Sequence, residues 1–371
     1  MSTNAVDTAA VLDAMGYRGG EPVHVHINRY GQWFWALAQD TTRSDAELRE
    51  RSIDFINTVM AIGLPGAEDP KSYNMCPGKL DALAEHVRRY TEPHDGHFQR
   101  SPEKYGNSLA RFRMSLLVTF VQEVLGVRAG PVSVDNSNGA DSRSFSVHGI
   151  LSDDRCPATG TTLPVLYVAI GRRLQYPLYL VQAKGCYFVR WEESNGDYFD
   201  IDATAPEFKS LDDKHFRNWP REMSEQELRS GFYFRNLSAR GHYIHFLFDR
   251  IRCLIDNLRM GEALQSCWLL SRFAGGSRNP LIRDQWAKVT IMARVLEQTR
   301  QQAGVEDYAS LDLRNVPVPE GAKAFEKKAA SLARKELDRL AVVRENAQRR
   351  TKQESVAGSP QGNWVTVTGT Y

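Results

Sequence analysis

Apolar residues recur every three or four positions over most of the chain, and in one interval the period drops to two. Helices are therefore predicted almost throughout, with strands confined to a single stretch. Ser44 and Glu47 have capping-box spacing and open a predicted helix to about Ile62, which Gly63-Leu-Pro-Gly66 ends. A second helix is predicted from Gly78 to Tyr90. Ser101-Pro102 reads as an N-cap with proline at the first helical position. From there to Val127, the residues Leu109, Phe112, Leu116, Phe120 and Val124 mark one buried face of a long helix. Residues 129–158, rich in Gly, Pro, Ser, Asn and Asp, read as loop. Leu163, Leu166, Ile170 and Leu174 mark a further helix face. Arg172 and Arg173 fall in its last turn, where cations suit the helix dipole, and Tyr176-Pro177 stops it.

The period then changes. Leu178–Lys184, Cys186–Glu192 and Tyr198–Thr204 read as three antiparallel strands, the last two joined at the turn Ser194-Asn-Gly-Asp197. In the third run Phe199, Ile201 and Ala203 share one face, and Asp200 and Asp202 the other. Beyond Pro220 helices are predicted at about 239–256, 260–273 and 281–302, the first two as an antiparallel pair. Residues 321–350 form an amphipathic Ala-, Lys- and Arg-rich helix; Lys323 to Lys352 hold ten basic and four acidic residues. A tail follows, in which Trp364-Val-Thr-Val367 has strand character. At the other end Tyr30, Trp33, Phe34 and Trp35 predict a segment that packs on the body. The fold class is α+β. The expected divisions are an N-terminal helical segment (1–100), a core (101–225), a helical region (226–305), the basic helix (306–355) and a flexible tail (356–371).

Composition narrows the classes. At 42% hydrophobic and 25% charged, the 371 residues have an ordinary globular mix. With 47 basic and 45 acidic residues the net charge is +2, which gives no support to a dedicated nucleic-acid binder. No apolar run approaches the ~18 residues of a membrane span, and no secretory signal opens the chain. Five scattered cysteines, an odd number, predict reduced thiols and a cytoplasmic location rather than a disulfide framework.

One block has a specific look. Tyr105-Gly-Asn-Ser-Leu-Ala110, Phe120-Val-Gln-Glu-Val-Leu-Gly126 and Val147-His-Gly-Ile-Leu151 lead into Leu163-Pro-Val-Leu-Tyr-Val-Ala-Ile-Gly-Arg-Arg-Leu-Gln-Tyr-Pro-Leu178. Ala183-Lys-Gly-Cys-Tyr-Phe-Val-Arg-Trp191 and Phe199-Asp-Ile-Asp-Ala-Thr204 follow. Over roughly residues 100–275 the text resembles the bacterial transglutaminase-like family related to SirB1. The helices holding Ala239-Arg-Gly-His242 and Gly261-Glu-Ala-Leu264 resemble its trailing tetratricopeptide-like region. The resemblance implies a papain-like core and acyl transfer or hydrolysis by Cys, His and an acid. The family's Cys sits at the start of the central helix, where free N–H groups favour a thiolate. Here that position falls on Gly160, and the family's His position falls on Cys186. Only Asp202 keeps suitable chemistry at the third position.

Both reactive residues are therefore missing, and the expected function is a catalytically inactive, protein- or peptide-binding scaffold. It needs no cofactor and no metal, does not insert into a membrane, and its oligomeric state is open. Expected binding residues are Thr159, Gly160, Thr161, Trp191 and Asp200; losing the Cys side chain is expected to leave space and open N–H groups at the helix start. Thr159 or Thr161 is expected to cap the helix. The alternative is a cysteine-dependent acyltransferase, amidase or protease using a relocated thiol, Cys156 or Cys186, with His148 as the one base the core offers. Against it, a strand cysteine lacks a helix terminus to lower its pKa, and His148 reads equally as a packing residue. A third reading, nucleic-acid or membrane adaptor, rests on the basic helix alone. His24-Val-His26 and His94-Asp-Gly-His97 have metal-compatible spacing without further ligands. Asp200 and Asp202 read as the relic of an orienting acid with a solvated neighbour.

Overall fold

The computed structural model describes residues 36–130, 140–152, 157–275, 280–302 and, within 329–345, residues 329–331, 333–338, 341, 342 and 345. Among these residues helices are combined with one antiparallel sheet of four strands in the order β1-β2-β3-β4: Leu178–Ala183, Cys186–Glu192, Tyr198–Ile201 and Ser210–Leu211. The α+β class stands. Two compact units meet in sequence at Trp286–Ala287. Tyr30, Trp33, Phe34, Trp35 and the tail from 356 lie outside the described residues, although the adjoining Leu37 is buried.

Ser44 and Glu47 form the expected capping box, but the helix it opens, α1 (Asp45–Leu48), is short. Ser52 accepts from the N–H of Phe55 and restarts the chain as α2 (Ile53–Val59), so one expected helix is two. A cap serine inside a periodic run gives the backbone a second place to begin. The next long helix, α3, runs Cys76–Thr91. The expected start at Ser101-Pro102 is also displaced. Pro102–Tyr105 is a single 3₁₀ turn, Gly106 and Asn107 take left-handed conformations, and Ser108 caps α4 (Leu109–Thr119) through the N–H of Arg111. Phe120–Val124 is then a π-turn closed by the bond from Leu125 N–H to Phe120 O. The extra residue rotates the apolar face. Phe112, Leu116 and Phe120 are buried as expected, but Val124 turns out to 55% exposure and Val121 takes the inward place.

Helix α5 (Thr162–Arg173) is the centre of the first unit. Residues 162–171 are all buried, and the helix packs on α2, α3, α4, β1 and β2. A helix apolar all round belongs in a core. Burial of each large aliphatic side chain there is worth about 1.5–3 kcal/mol. A two-residue turn at Lys184-Gly185, with Gly185 at φ 94°, joins β1 to β2, and Gly196 at φ 88° sits in the next turn. The third strand ends earlier than expected, at Ile201. The Asp202 carboxylate accepts from both the N–H and the hydroxyl of Thr204 and bends the chain out of the ladder. Helices α6 (Ala239–Asp256) and α7 (Met260–Phe273) form the expected hairpin, and α8 spans Pro280–Gln302.

Residues 129–158 are not wholly loop: a 3₁₀ turn at Ser142–Ser144 and a helical turn at His148–Leu151 lie within them. Asn57 of α2 fixes this region. Its amide donates to Phe145 O (3.0 Å) and accepts from Val147 N–H (2.7 Å), fully buried. From α6, Arg250 donates to Met60 O and Ile62 O at 2.8 Å each, past the end of α2. In the second unit the described part of the basic segment is helical, with Arg334 and Lys335 exposed and Ala329 and Glu336 buried. Asn57→Ala is expected to destabilise the fold by about 2–4 kcal/mol, because two buried backbone groups lose their partner. Urea unfolding reads this directly; a loss below about 0.5 kcal/mol would contradict the anchoring role.

Candidate functional site

The three positions singled out by the sequence lie together at the head of α5. A Cβ placed on Gly160 would lie 3.8 Å from Cys186 Cβ and 3.8 Å from Thr204 Cγ2. Asp202 is close enough for its charge to act on the Cys186 thiol. Several bonds hold this cluster. Tyr187 N–H donates to Gly160 O (3.2 Å), tying the start of β2 to the helix head, and Tyr187 Oη donates to Asp249 of α6 (3.2 Å). Gln122 Nε2 donates to Tyr167 Oη and to Ala205 O, holding the Asp202–Ala205 bend against the central helix.

The helix head is not open. Thr159 Oγ1 accepts from the N–H groups of Thr161 (3.2 Å) and Thr162 (3.1 Å). Thr162 Oγ1 accepts in return from Thr159 N–H (2.9 Å), and Thr159 Oγ1 reaches Ser144 O (2.9 Å). Thr159 is thus the capping side chain, while Thr161 contributes none. The expectation of vacant N–H donors beside Gly160 is corrected: a buried helix start must satisfy its donors internally, and a threonine three residues upstream already does so.

The chemistry at this cluster is that of a protonated thiol. Burial, aided by the negative charge of Asp202, pushes the Cys186 thiol up to about 12, and the side chain is 6% exposed. Among the described residues no imidazole is hydrogen-bonded to it. His148 is fully buried, its Nε2 lies 3.0 Å from Gly66 O, and burial lowers its pKa, so it anchors a turn as a neutral ring. Cys156, His24 and His26 lie outside the described residues. His94 and His97 meet edge to face at 5.3 Å, and no group of three or more His, Cys, Asp or Glu suited to a metal occurs among the described residues.

Two expected binding residues sit elsewhere. Trp191 is at the far end of β2 from Cys186, about 16 Å along the strand at ~3.3 Å per residue. Its ring stacks on Phe199, and its Nε1 donates to Glu193. Asp200 is not solvated; it is 2% exposed and bonded through both oxygens to Arg190 (2.6 and 2.8 Å). Arg190 also donates to Asp213 (3.1 Å). Burial pushes the Asp200 carboxyl up to about 6; Arg190 opposes the shift and neighbouring Asp213 adds to it. This ion cluster faces a groove of about 680 Å³ whose lining includes Arg111, Tyr198, Phe199, Lys214 and Arg217. The sequence reading missed the groove. Its short strand Ser210–Leu211 gives no periodic signal, and Arg111 reaches it from α4, far away in sequence. The capping position of Asp212, whose Oδ1 accepts from His215 N–H, was the one local cue.

Comparison with known proteins gives no family model, no curated protein and no solved structure that matches this chain. No helix among the described residues is long and apolar enough to cross a membrane.

Cys186 is expected to resist iodoacetamide near neutral pH in the native protein and to react on unfolding, read by mass spectrometry. Rapid native labelling would contradict the raised pKa. Asp200 sets a pH dependence. Its folded pKa lies above the unfolded value, so its stabilisation is complete below about pH 4 and is lost as pH rises through about 6. Asp200→Asn lacks this loss, so its stability deficit against the unmodified protein is expected to shrink by about 2–3 kcal/mol from about pH 4 to 7. Parallel denaturant curves at the two pH values test it, and a constant difference rules it out.

Proposed function

We propose that this chain is a catalytically inactive transglutaminase-like protein, with a papain-like core related to the SirB1 family and a tetratricopeptide-like helical pair. It works in the cytoplasm by binding a protein or peptide partner. The observation that carries this reading is the convergence of Gly160, Cys186 and Asp202 at the head of the buried helix without a nucleophile and base among them. Acyl transfer through a thioester needs a sulfur at the helix start and a proton acceptor beside it. Gly160 offers no side chain, and a thiol raised to about 12 neither attacks nor accepts a proton efficiently near neutral pH. The same environment counts against relocating the nucleophile to Cys186. A scaffold that keeps its elements while lacking its reactive pair retains surfaces for binding, and function then rests on those surfaces rather than on the fold.

The test pairs an interaction assay with an activity assay. The intact protein, used as bait, is expected to retain a protein partner and to show no amidase or amine-transfer turnover. Gly160→Cys combined with Cys186→His serves as the comparison, since a Cβ at 160 meets its neighbours at ordinary contact distance. Robust turnover by the unmodified protein that survives removal of both Cys156 and Cys186 would refute the inactive assignment and the location of the site.

A further inference from the structure

The groove beside β3 and β4 holds cations and carboxylates in similar number, but they are not equally engaged. Its carboxylates already have partners. Asp200 binds Arg190 through both oxygens, Asp213 binds the same guanidinium, and Asp212 caps the following helical turn. Asp200 lines the groove at 2% exposure, and Arg190, at 8%, is bonded to it. The cations of the rim are different. Arg111, Lys214 and Arg217 have no carboxylate partner among the described residues. Arg111 lies over the Phe199 ring at 4.8 Å and Arg217 over Phe234 at 6.0 Å, so aromatic shelves hold these two guanidinium groups while their N–H donors stay available. Lys214 and Arg217 are exposed.

The backbone of the groove is also incompletely paired. Tyr198 and Phe199 pair with Glu192 and Trp191 of β2 on one side. On the other side β4 pairs only with Asp200 and Ile201, then leaves the sheet for a helical turn at Asp213. Alternate residues bond to alternate neighbours, and Asp202 N–H bonds to Lys209 O on the β4 side, so of these two it is Tyr198 whose N–H and C=O face the open edge beside the rim cations. The opposite edge of the sheet is treated differently. There, the chain at 234–237 covers β1, with Phe234 N–H donating to Gln182 O and Leu237 N–H to Leu180 O. Open edges invite an added strand. The exposed Tyr198 ring, itself 4.4 Å from Arg190, adds an apolar surface beside the gap.

We propose that this groove docks an acidic peptide segment in extended conformation. Its backbone continues the line of β4 and pairs with Tyr198, and its carboxylates meet Arg111, Lys214 and Arg217. Backbone pairing supplies affinity and the charged rim supplies selectivity. A peptide fits both halves of the site: its N–H groups donate to backbone acceptors and to the remaining lone pairs of Asp212 and Asp213, while its acidic side chains face the cations. A DNA backbone carries only acceptors and has nothing to donate to the groove's carboxylates or strand edge. The proposal shares with the function above only the idea of a peptide partner. The site is separate from the Gly160 cluster, and its test reads binding, so failure here leaves the inactive assignment untouched.

The experiment is fluorescence anisotropy on the full-length protein at low salt, with a labelled octapeptide of alternating Glu and Val. Binding is expected, and it should weaken as salt rises. Lys214→Glu combined with Arg217→Glu, two exposed positions, should weaken it by about tenfold or more at an unchanged melting temperature. Arg111→Ala should weaken it by a smaller factor. The same peptide N-methylated at alternate residues, unable to pair as a strand, should also bind about tenfold or more worse. Absence of binding, undiminished binding to the charge-reversed variant, or equal binding of the N-methylated peptide would each overturn the proposal. So would an oligothymidylate of matched charge that binds more tightly than the peptide and is lost in the same variant, which would assign the groove to nucleic acid.

Discussion

The structure depends on one helix that has no solvent face. Residues 162–171 of α5 are buried throughout, so the backbone groups left unpaired at its buried start need partners from the protein. Each end has its own protein partners. At the start, Thr159 and Thr162 exchange hydrogen bonds between side chain and backbone. At the finish, Tyr176 N–H donates to Gly171 O, and Arg173 turns its guanidinium to Asp54 of α2 and Asp81 of α3. The second of these contacts also ties the N-terminal helices to α5. Gly171 is required by the close approach of β1: a Cβ there would collide with the Leu178 side chain.

The same constraint shapes the candidate site. A helix start that satisfies its own donors is a stable end to a buried helix and a poor place to hold an incoming anion. At Gly160 the backbone carbonyl takes the N–H of Tyr187, and the side chain that would project into the cluster is missing. What remains is a packed junction of helix head, strand start and Asx bend. Its single thiol is kept protonated by burial. Polar groups that adjoin an accessible groove are instead found farther along β2, around Arg190. There a buried guanidinium carries two carboxylates, and the outer cations have no carboxylate partner among the described residues. Buried pairs of this kind contribute little net stability because desolvation opposes the Coulomb gain. Their effect is to fix which charges face inward and which face the groove.

Much of the architecture was legible from local chemistry. The capping box at Ser44, the helix ending at Arg173, the tight turns at Gly185 and Gly196, and the hairpin of α6 and α7 each follow from residues adjacent in sequence. The convergence of Gly160 with Cys186 was also anticipated, although from the resemblance of the surrounding text rather than from spacing. Two expectations about helix continuity failed for a similar reason. Ser52 broke a helix that periodicity made continuous, and a π-turn after Thr119 carried Val124 off the face assigned to it. In each case a local hydrogen bond, from a side chain at Ser52 and within the backbone at Leu125, outweighed a pattern read over many residues.

The sequence by itself determined element type and period, because these depend on side chains three or four positions apart along a helix, two along a strand. It also determined that position 160 carries no side chain, since no fold can give a glycine a reactive group. Tertiary structure alone decided what each charge does. Asp200 and Asp202 are two residues apart and look equivalent in the text, yet one lies against a buried guanidinium and the other closes a turn. Arg111, Lys214 and Arg217 are ordinary surface cations until the fold brings α4, β3 and the turn at Asp213 to one groove. The physical reason is range. Caps and turns are settled within a few residues, whereas ion pairing and burial depend on which distant segments the core brings into contact.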